Sequence, residues 1–313
     1  MKSKTIRAVL RKKINEWIDS IEDPEIQELA RANTIVTGGA IASMLLKEPV
    51  NDFDIYFRTF EAARRITEYY VQRFESKSAK GIPCKIFVQV DDGRIRTVVK
   101  SAGVASAEGA ETPYAYFEGR PADDAGQYVG EVMSDAGDIE DAYVETEELS
   151  LTNADAGKPP YRPVFVSTNA ITLSGRIQII NRFYGEPDAI HENYDYVHCT
   201  NYWKSWDGKL VLRQAALESL LSRELRYVGS KYPVCSVIRL RKFIKRGWVI
   251  NAGQILKMMV QITDLDLHDP MILQDQLTGV DSAYFCQLMT ALKEKDPAKV
   301  ETAYLVEIID RMF

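Results

Sequence analysis

Cysteine is scarce and unpaired in spacing: four residues, at positions 84, 199, 235 and 286, with no CxxC among them. That pattern offers neither a zinc site nor a disulfide framework, and free thiols point to a reducing cytoplasm. No apolar run approaches the roughly 18 residues a transmembrane helix needs, so a membrane is not an expected partner. There is no internal repeat and no long low-complexity run. The opening MKSKTIRAVLRKKINEW is basic, but its cations alternate with Ile6, Leu10, Ile14 and Trp17. This is the stripe of an amphipathic helix rather than a signal peptide. An excess of positive charge is also missing: the net charge of −6 argues against a simple nucleic-acid coat protein.

What is present is enough to fold. The 313 residues are 46% hydrophobic and 27% charged, which excludes a disordered chain and allows two domains of ordinary size. Charge is segregated along the chain. Residues 102 to 160 hold 14 acids against Arg120 and Lys158, whereas Lys204 to Lys257 holds 12 cations against Asp207, Glu218 and Glu224. The acidic stretch, rich in Gly, Ala and Ser, reads as an insertion at about 101–160, partly disordered, in a first domain covering 1–205. Residues 206–313 read as a helical domain.

Periodicity and punctuation place the elements. Helices are expected over about 4–19 and, capped by Asp23-Pro24, just after it. The β-branched run Thr34–Thr37 is a strand ended by Gly38-Gly39. A helix from Ala40 to Lys47 follows, stopped by Pro49. Asp52–Phe57 alternates as a strand, residues 60–76 form a helix, and Ile86–Val90 a strand. After the insertion, strands are expected at 164–166, 170–173 and 177–180, then a short helix from Gly185, then a last strand at Tyr194–Val197. Helices are expected near 209–228, 233–246, 251–262, 281–294 and 297–312.

Three features carry candidate chemistry. Glycines allow close backbone approach to a phosphate, and the helix start after Gly38-Gly39 offers N–H donors and a positive dipole end; the same pair also serves as a plain tight turn. Asp52 and Asp54 flank Phe53 on a strand, so both carboxylates share one face while Phe53, Ile55 and Phe57 turn to the core. Such a pair suits Mg²⁺ or Mn²⁺ or, equally, a solvated edge. Asp195 sits in an aromatic, β-branched run where Asp is disfavoured; it is either a third ligand or a strand-end acid facing water.

In that order these features resemble the DNA polymerase β-like nucleotidyltransferases, whose pattern is a Gly-Gly or Gly-Ser turn, an Asp-x-Asp strand about ten residues on, and a third Asp on a neighbouring strand. TIVTGGAIASMLLKEPVNDFDIYF is most similar to the CCA-adding tRNA nucleotidyltransferases and bacterial poly(A) polymerases. SVIRLRKFIKRGW is similar to their Arg-rich helix, and Ser167–Ile171 faintly to their Thr-Ile-Asn-Ala strand. This chain has Ala42-Ser43 where those enzymes carry Arg-Asp, and Val166-Ser167 where they carry an Arg pair.

The resemblance implies an α+β fold: a palm with a small mixed sheet and helices, followed by an α-helical domain. It implies an enzyme that moves a nucleoside monophosphate from an NTP, ATP or CTP, to an acceptor hydroxyl, with an RNA (tRNA) 3′ end first among acceptors. Two Mg²⁺ or Mn²⁺ ions would be held by Asp52, Asp54 and Asp195. Gly38, Gly39 and Ser43 would hold the triphosphate. Arg239, Lys242 and Arg246, at i, i+3, i+7, form one helix stripe that would grip triphosphate or RNA, or simply a solvated face. Two other functions stay open: nucleotidylation of a protein or small molecule, of toxin or antibiotic-modifying type, and a non-catalytic nucleotide-binding relative. His191, His198, Tyr202, Trp203 and Trp206 read as structural.

Overall fold

A computed structural model describes residues 1–77, 84–101 and 160–277. Almost all of the acidic insertion and the helices expected at 281–294 and 297–312 lie outside the described residues. The chain divides into two compact units: Met1–Ile190 with Asn201–Leu212, and His191–Thr200 with the described residues from Arg213 on.

The first unit is built as its patterns dictate. Helix α1 (Ser3–Asp19) buries Ile6, Leu10, Ile14, Trp17 and Ile18, the i, i+4, i+8 stripe of its sequence. Each such side chain contributes about 1.5–3 kcal/mol on burial. Trp17 keeps its indole satisfied by donating to Tyr70 Oη at 2.8 Å. Helix α2 (Pro24–Asn33) starts where Asp23 accepts from the amides of Glu25 and Ile26. Strand β1 (Thr34–Thr37), helix α3 (Gly39–Leu46), strand β2 (Phe53–Phe57) and helix α4 (Phe60–Lys77) follow.

Strand β3 (Cys84–Asp91) is joined to β4 (Arg94–Ser101) as a separate antiparallel hairpin. Its turn, Asp92-Gly93, takes φ of 47° and 74°, as a two-residue hairpin turn requires. Strand β4 was not anticipated, although the Asp-Gly pair announces it.

Strands β5 (Pro163–Val166), β6 (Ala170–Leu173) and β7 (Ile177–Tyr184), helix α5 (Pro187–His191), and strands β8 (Tyr202–Lys204) and β9 (Leu210–Val211) complete the unit's elements. The main sheet has seven strands in the order β5-β6-β7-β2-β1-β8-β9. It is mixed: β2 runs parallel to β7 and antiparallel to β1. One face is the core. Val36, Ile55, Ile179, Ile171 and Val166 lie in register across five strands, and all are fully buried.

The second unit holds helices α6 (Gln214–Ser222), α7 (Pro233–Lys245), α8 (Ala252–Thr263) and α9 (Pro270–Gln276) and the two-stranded parallel ladder β10 (Glu224–Leu225) with β11 (Val249–Ile250). The single helix expected over 209–228 is not formed. Leu210–Val211 joins the first unit's sheet, α6 ends at Arg223 in the left-handed region (φ 50°), and Glu224–Leu225 pairs as a strand. The strand expected at Tyr194–Val197 is also absent. Only Tyr196 makes a bridge, to Tyr227, and Val197–Cys199 turns as a 3₁₀ helix. The class is nonetheless α+β: a central mixed sheet with several helices. No helix of the described residues is long and apolar enough to cross a membrane.

Candidate active site

Strand register brings the first two sequence features together. Thr34 pairs with Phe57, Ile35 with Tyr56 and Val36 with Ile55. The paired register ends at Val36–Ile55, so Thr37 with the Gly38-Gly39 turn after it and Asp54 with Asp52 before it come to the same end of the two strands. The strand end that launches α3 therefore lies against the strand start that carries the acids. Phe53 and Ile55 are buried in the core, so Asp54 between them turns to the opposite side by the pleat, and Asp52 lies just before the strand. Asp54 is half-buried and Asp52 exposed.

Gly38 adopts φ 93°, ψ −149°, a conformation that only glycine takes without strain. Gly39 begins the helix, is exposed, and has open space where a Cβ would stand. The helix start carries no side-chain cap. Ser43, one turn on, is half-buried.

The same sheet face continues past β2. Asp54 is in register with Gln178 on β7, and Gln178 with Thr172 on β6. Both neighbours are half-buried. Nothing in the sequence marks Gln178; only the register does. On the other flank Thr37 pairs with Tyr202 of β8, while the next residue, Trp203, is buried in the core. Trp206 is covered by cations, with the Arg58 guanidinium 4.6 Å and the Lys204 ammonium 5.2 Å from its ring centre.

Asp195 has a different setting, within the second unit. Its carboxylate, nine-tenths buried, accepts from Ser236 Oγ at 2.7 Å and Arg239 Nη1 at 2.6 Å. Ser236 and Arg239 lie one turn apart on α7, and Tyr196 Oη donates to the Ser236 carbonyl at 2.7 Å. Two of the residues expected at one site, Asp195 and Arg239, thus meet as an ion pair. Lys242 is half-buried on the same helix, and Arg246 caps it, its carbonyl accepting from Arg223 Nη1 at 3.1 Å. Among the described residues no three His, Cys, Asp or Glu side chains gather to hold a metal ion.

His198 is boxed in by Trp248, Phe243 and Tyr196, with ring centres 4.4, 4.8 and 6.1 Å away. Burial pushes its pKa down to about 4, against the opposing pull of Asp195. The folded state thus holds His198 neutral while the unfolded chain protonates near pH 6.5. Stability from this residue is complete above pH 6.5 and is lost as pH falls towards 4. A denaturant midpoint measured from pH 7.5 to 5 is expected to fall in wild type, and less steeply in His198→Phe. Equal slopes would remove His198 as the cause.

The protein is α+β, with an acid-bearing strand paired to the strand that leads into a glycine helix start. The family model for Gabija anti-defense 2 family proteins matches residues 8–223, and the chain belongs to that family. This is not the CCA-adding type to which the sequence resemblance pointed. A curated relative, Gabija anti-defense 2 of Bacillus phage SPbetaL7, is 20% identical over 123 residues, which are 39% of this chain and 31% of that protein. Among solved structures, the Thermotoga maritima CCA-adding enzyme complexed with tRNA_CCA has a TM-score of 0.36 at 12% identity, covering 96% of this chain and 53% of the enzyme. The Bacillus stearothermophilus CCA-adding enzyme in complex with CTP has a TM-score of 0.34 at 11% identity, covering 86% and 52%. The chain spans about half the length of both enzymes. Likeness at this level carries no argument about activity.

Proposed function

We propose that the protein is a divalent-metal-dependent nucleotidyltransferase that acts against the Gabija defence by placing a nucleoside monophosphate on one of its components. The observation that carries this reading is the antiparallel pairing of β1 with β2 up to Val36–Ile55, which brings the strand end before Gly38-Gly39 and α3 to the same end of the sheet as the strand start that bears the acids. An NTP needs those two things at once: N–H donors for its phosphates and oxygen ligands for its cation.

The donor set fits a hard ion. Mg²⁺ is commonly held by one or two carboxylates, with substrate phosphates and water completing the shell. When bound, the ion would neutralise phosphate charge and acidify the acceptor hydroxyl. The chain's own part is placement. Asp52 and Asp54 hold the ion, while the α3 N-terminus and the Ser43 hydroxyl fix the triphosphate. The acceptor oxygen forms a bond to the α-phosphorus, the bond from that phosphorus to the pyrophosphate oxygen breaks, and the hydroxyl proton leaves to water. Asp195, engaged with Arg239 and Ser236, is left out of this reading.

The glycines provide a check that separates folding from binding. Gly38→Ala is expected to lose about 1–3 kcal/mol of stability, because its φ of 93° disfavours a side chain. Gly39→Ala meets no neighbour within 4 Å, so its melting temperature should hold or rise slightly. Its methyl would stand where phosphate approaches, and calorimetry should show NTP binding weakened about tenfold or more, about 1.4 kcal/mol. Unchanged NTP affinity in Gly39→Ala would count against the phosphate site.

RNA, tRNA first, is a second acceptor class; Arg241, Lys242 and Lys245 on α7 are the cations that support it. The deciding experiment incubates the protein with Mg²⁺, each labelled NTP, and either purified Gabija components or tRNA. Label on a Gabija component supports the proposal, and label on tRNA supports the second reading. NTP binding with no label on either would make the protein a non-catalytic binder and overturn both.

A further inference from the structure

We infer that Gln178 is the neutral partner of Asp54 at the ion site, and that it limits the site, before nucleotide arrives, to one divalent ion; this rests on the metal-dependent reading above. Parallel pairing puts Gln178 directly beside Asp54, with Thr172 next in line on β6. Their face is fixed by their neighbours: Phe53, Ile55, Ile177, Ile179, Ile171 and Leu173 are all buried on the other side. Residues paired across a ladder stand about 5 Å apart and share a face, so the Gln178 amide and the Asp54 carboxylate reach a common ligand.

Strands β6 (AITL) and β7 (IQIINRFY) contain no acid. The neighbouring strand thus supplies an amide, which offers a hard carbonyl oxygen and two N–H donors but no charge. Asp54 is the one acid in the seven described strands of this sheet, with Asp52 just before β2. A second ion would find no further carboxylate on those strands and would need the charge of the nucleotide's phosphates. Gln178 also suits the bound state, since its N–H group can donate to a phosphate that a third carboxylate would repel. It is a positioning residue: it acts on the ion and on the phosphates through where it holds them.

The test reads ion binding without turnover. Mn²⁺ is titrated into the full chain without nucleotide, and free ion is measured by electron paramagnetic resonance. Wild type is expected to take one ion per chain. Gln178→Glu, which adds a charge, should bind Mn²⁺ about tenfold more tightly or take up a second ion. Gln178→Met, close in shape and without the oxygen, should bind it several-fold more weakly, and circular dichroism confirms that both variants fold. Should one variant fail to fold, the other decides by itself. Two ions in wild type, or unchanged Mn²⁺ binding in the folded Gln178 variants while Asp54→Asn abolishes it, would overturn the role of Gln178 and leave the metal site standing. Unchanged binding in Asp54→Asn would instead overturn the metal reading itself.

Discussion

Asp54→Asn is expected to lose nucleotidyl transfer by three or more powers of ten while keeping the fold. The reasoning is electrostatic. Asp54 lies on β2 and Asp52 just before its start, and each power of ten is about 1.4 kcal/mol of transition-state stabilisation. Replacing one carboxylate by a neutral isostere removes a charged ligand to the ion and half of the charge that balances it. Asn keeps the size and shape of the Asp54 side chain, so the protein is expected to stay folded without added ion. The contrast between lost transfer and retained stability is the signature of a functional acid. Label transfer and a thermal melt, run with and without Mg²⁺, provide the check. Transfer at the wild-type rate would remove Asp54 from the mechanism.

Asp195→Ala is expected to do the reverse. Its carboxylate is buried and accepts two hydrogen bonds, from Ser236 Oγ and from Arg239. Removing it takes an acceptor from the Arg239 guanidinium, while the Ser236 hydroxyl keeps the Tyr232 carbonyl at 3.1 Å. Breaking a fully buried ion pair costs about 3–5 kcal/mol; because the Arg239 side chain is 42% exposed, solvent takes up part of the loss and about 2 kcal/mol is expected. Denaturant unfolding gives the number, and a double-mutant cycle with Arg239→Ala isolates the pair. The folded fraction should still transfer nucleotide. Loss of transfer with stability intact would restore Asp195 as a catalytic acid and refute its structural assignment.

The two aspartate sites show how far a sequence pattern reaches. For Asp52 and Asp54 the deciding physics is local. Strand alternation puts 53, 55 and 57 on the buried face and sends Asp54 to the other, whatever the strand packs against. The Gly38-Gly39 turn is local too, because a backbone conformation closed to other residues selects glycine at that position. The Asp23-Pro24 helix start and the α1 stripe are determined in the same way.

Asp195 is the opposite case. Tyr-Asp-Tyr-Val has the composition of a strand, yet its partners are 41 and 44 residues away, on one face of α7. The hydrogen bonds that Ser236 and Arg239 offer, together with the aromatic box around His198, outweigh local β preference. The short strands β8 to β11 are likewise set by distant pairing, and two- or three-residue strands carry no periodic signal of their own. Gln178 is the plainest instance. Within β7 it is one of three polar residues, with Asn181 and Arg182, and only the parallel register with β2, decided when the sheet assembles, sets it beside Asp54. Sequence alone determined which residues alternate, cap and turn, because those choices are made within a few residues of backbone. The tertiary structure alone decided which charges meet, because register and ion pairing join residues far apart in the chain.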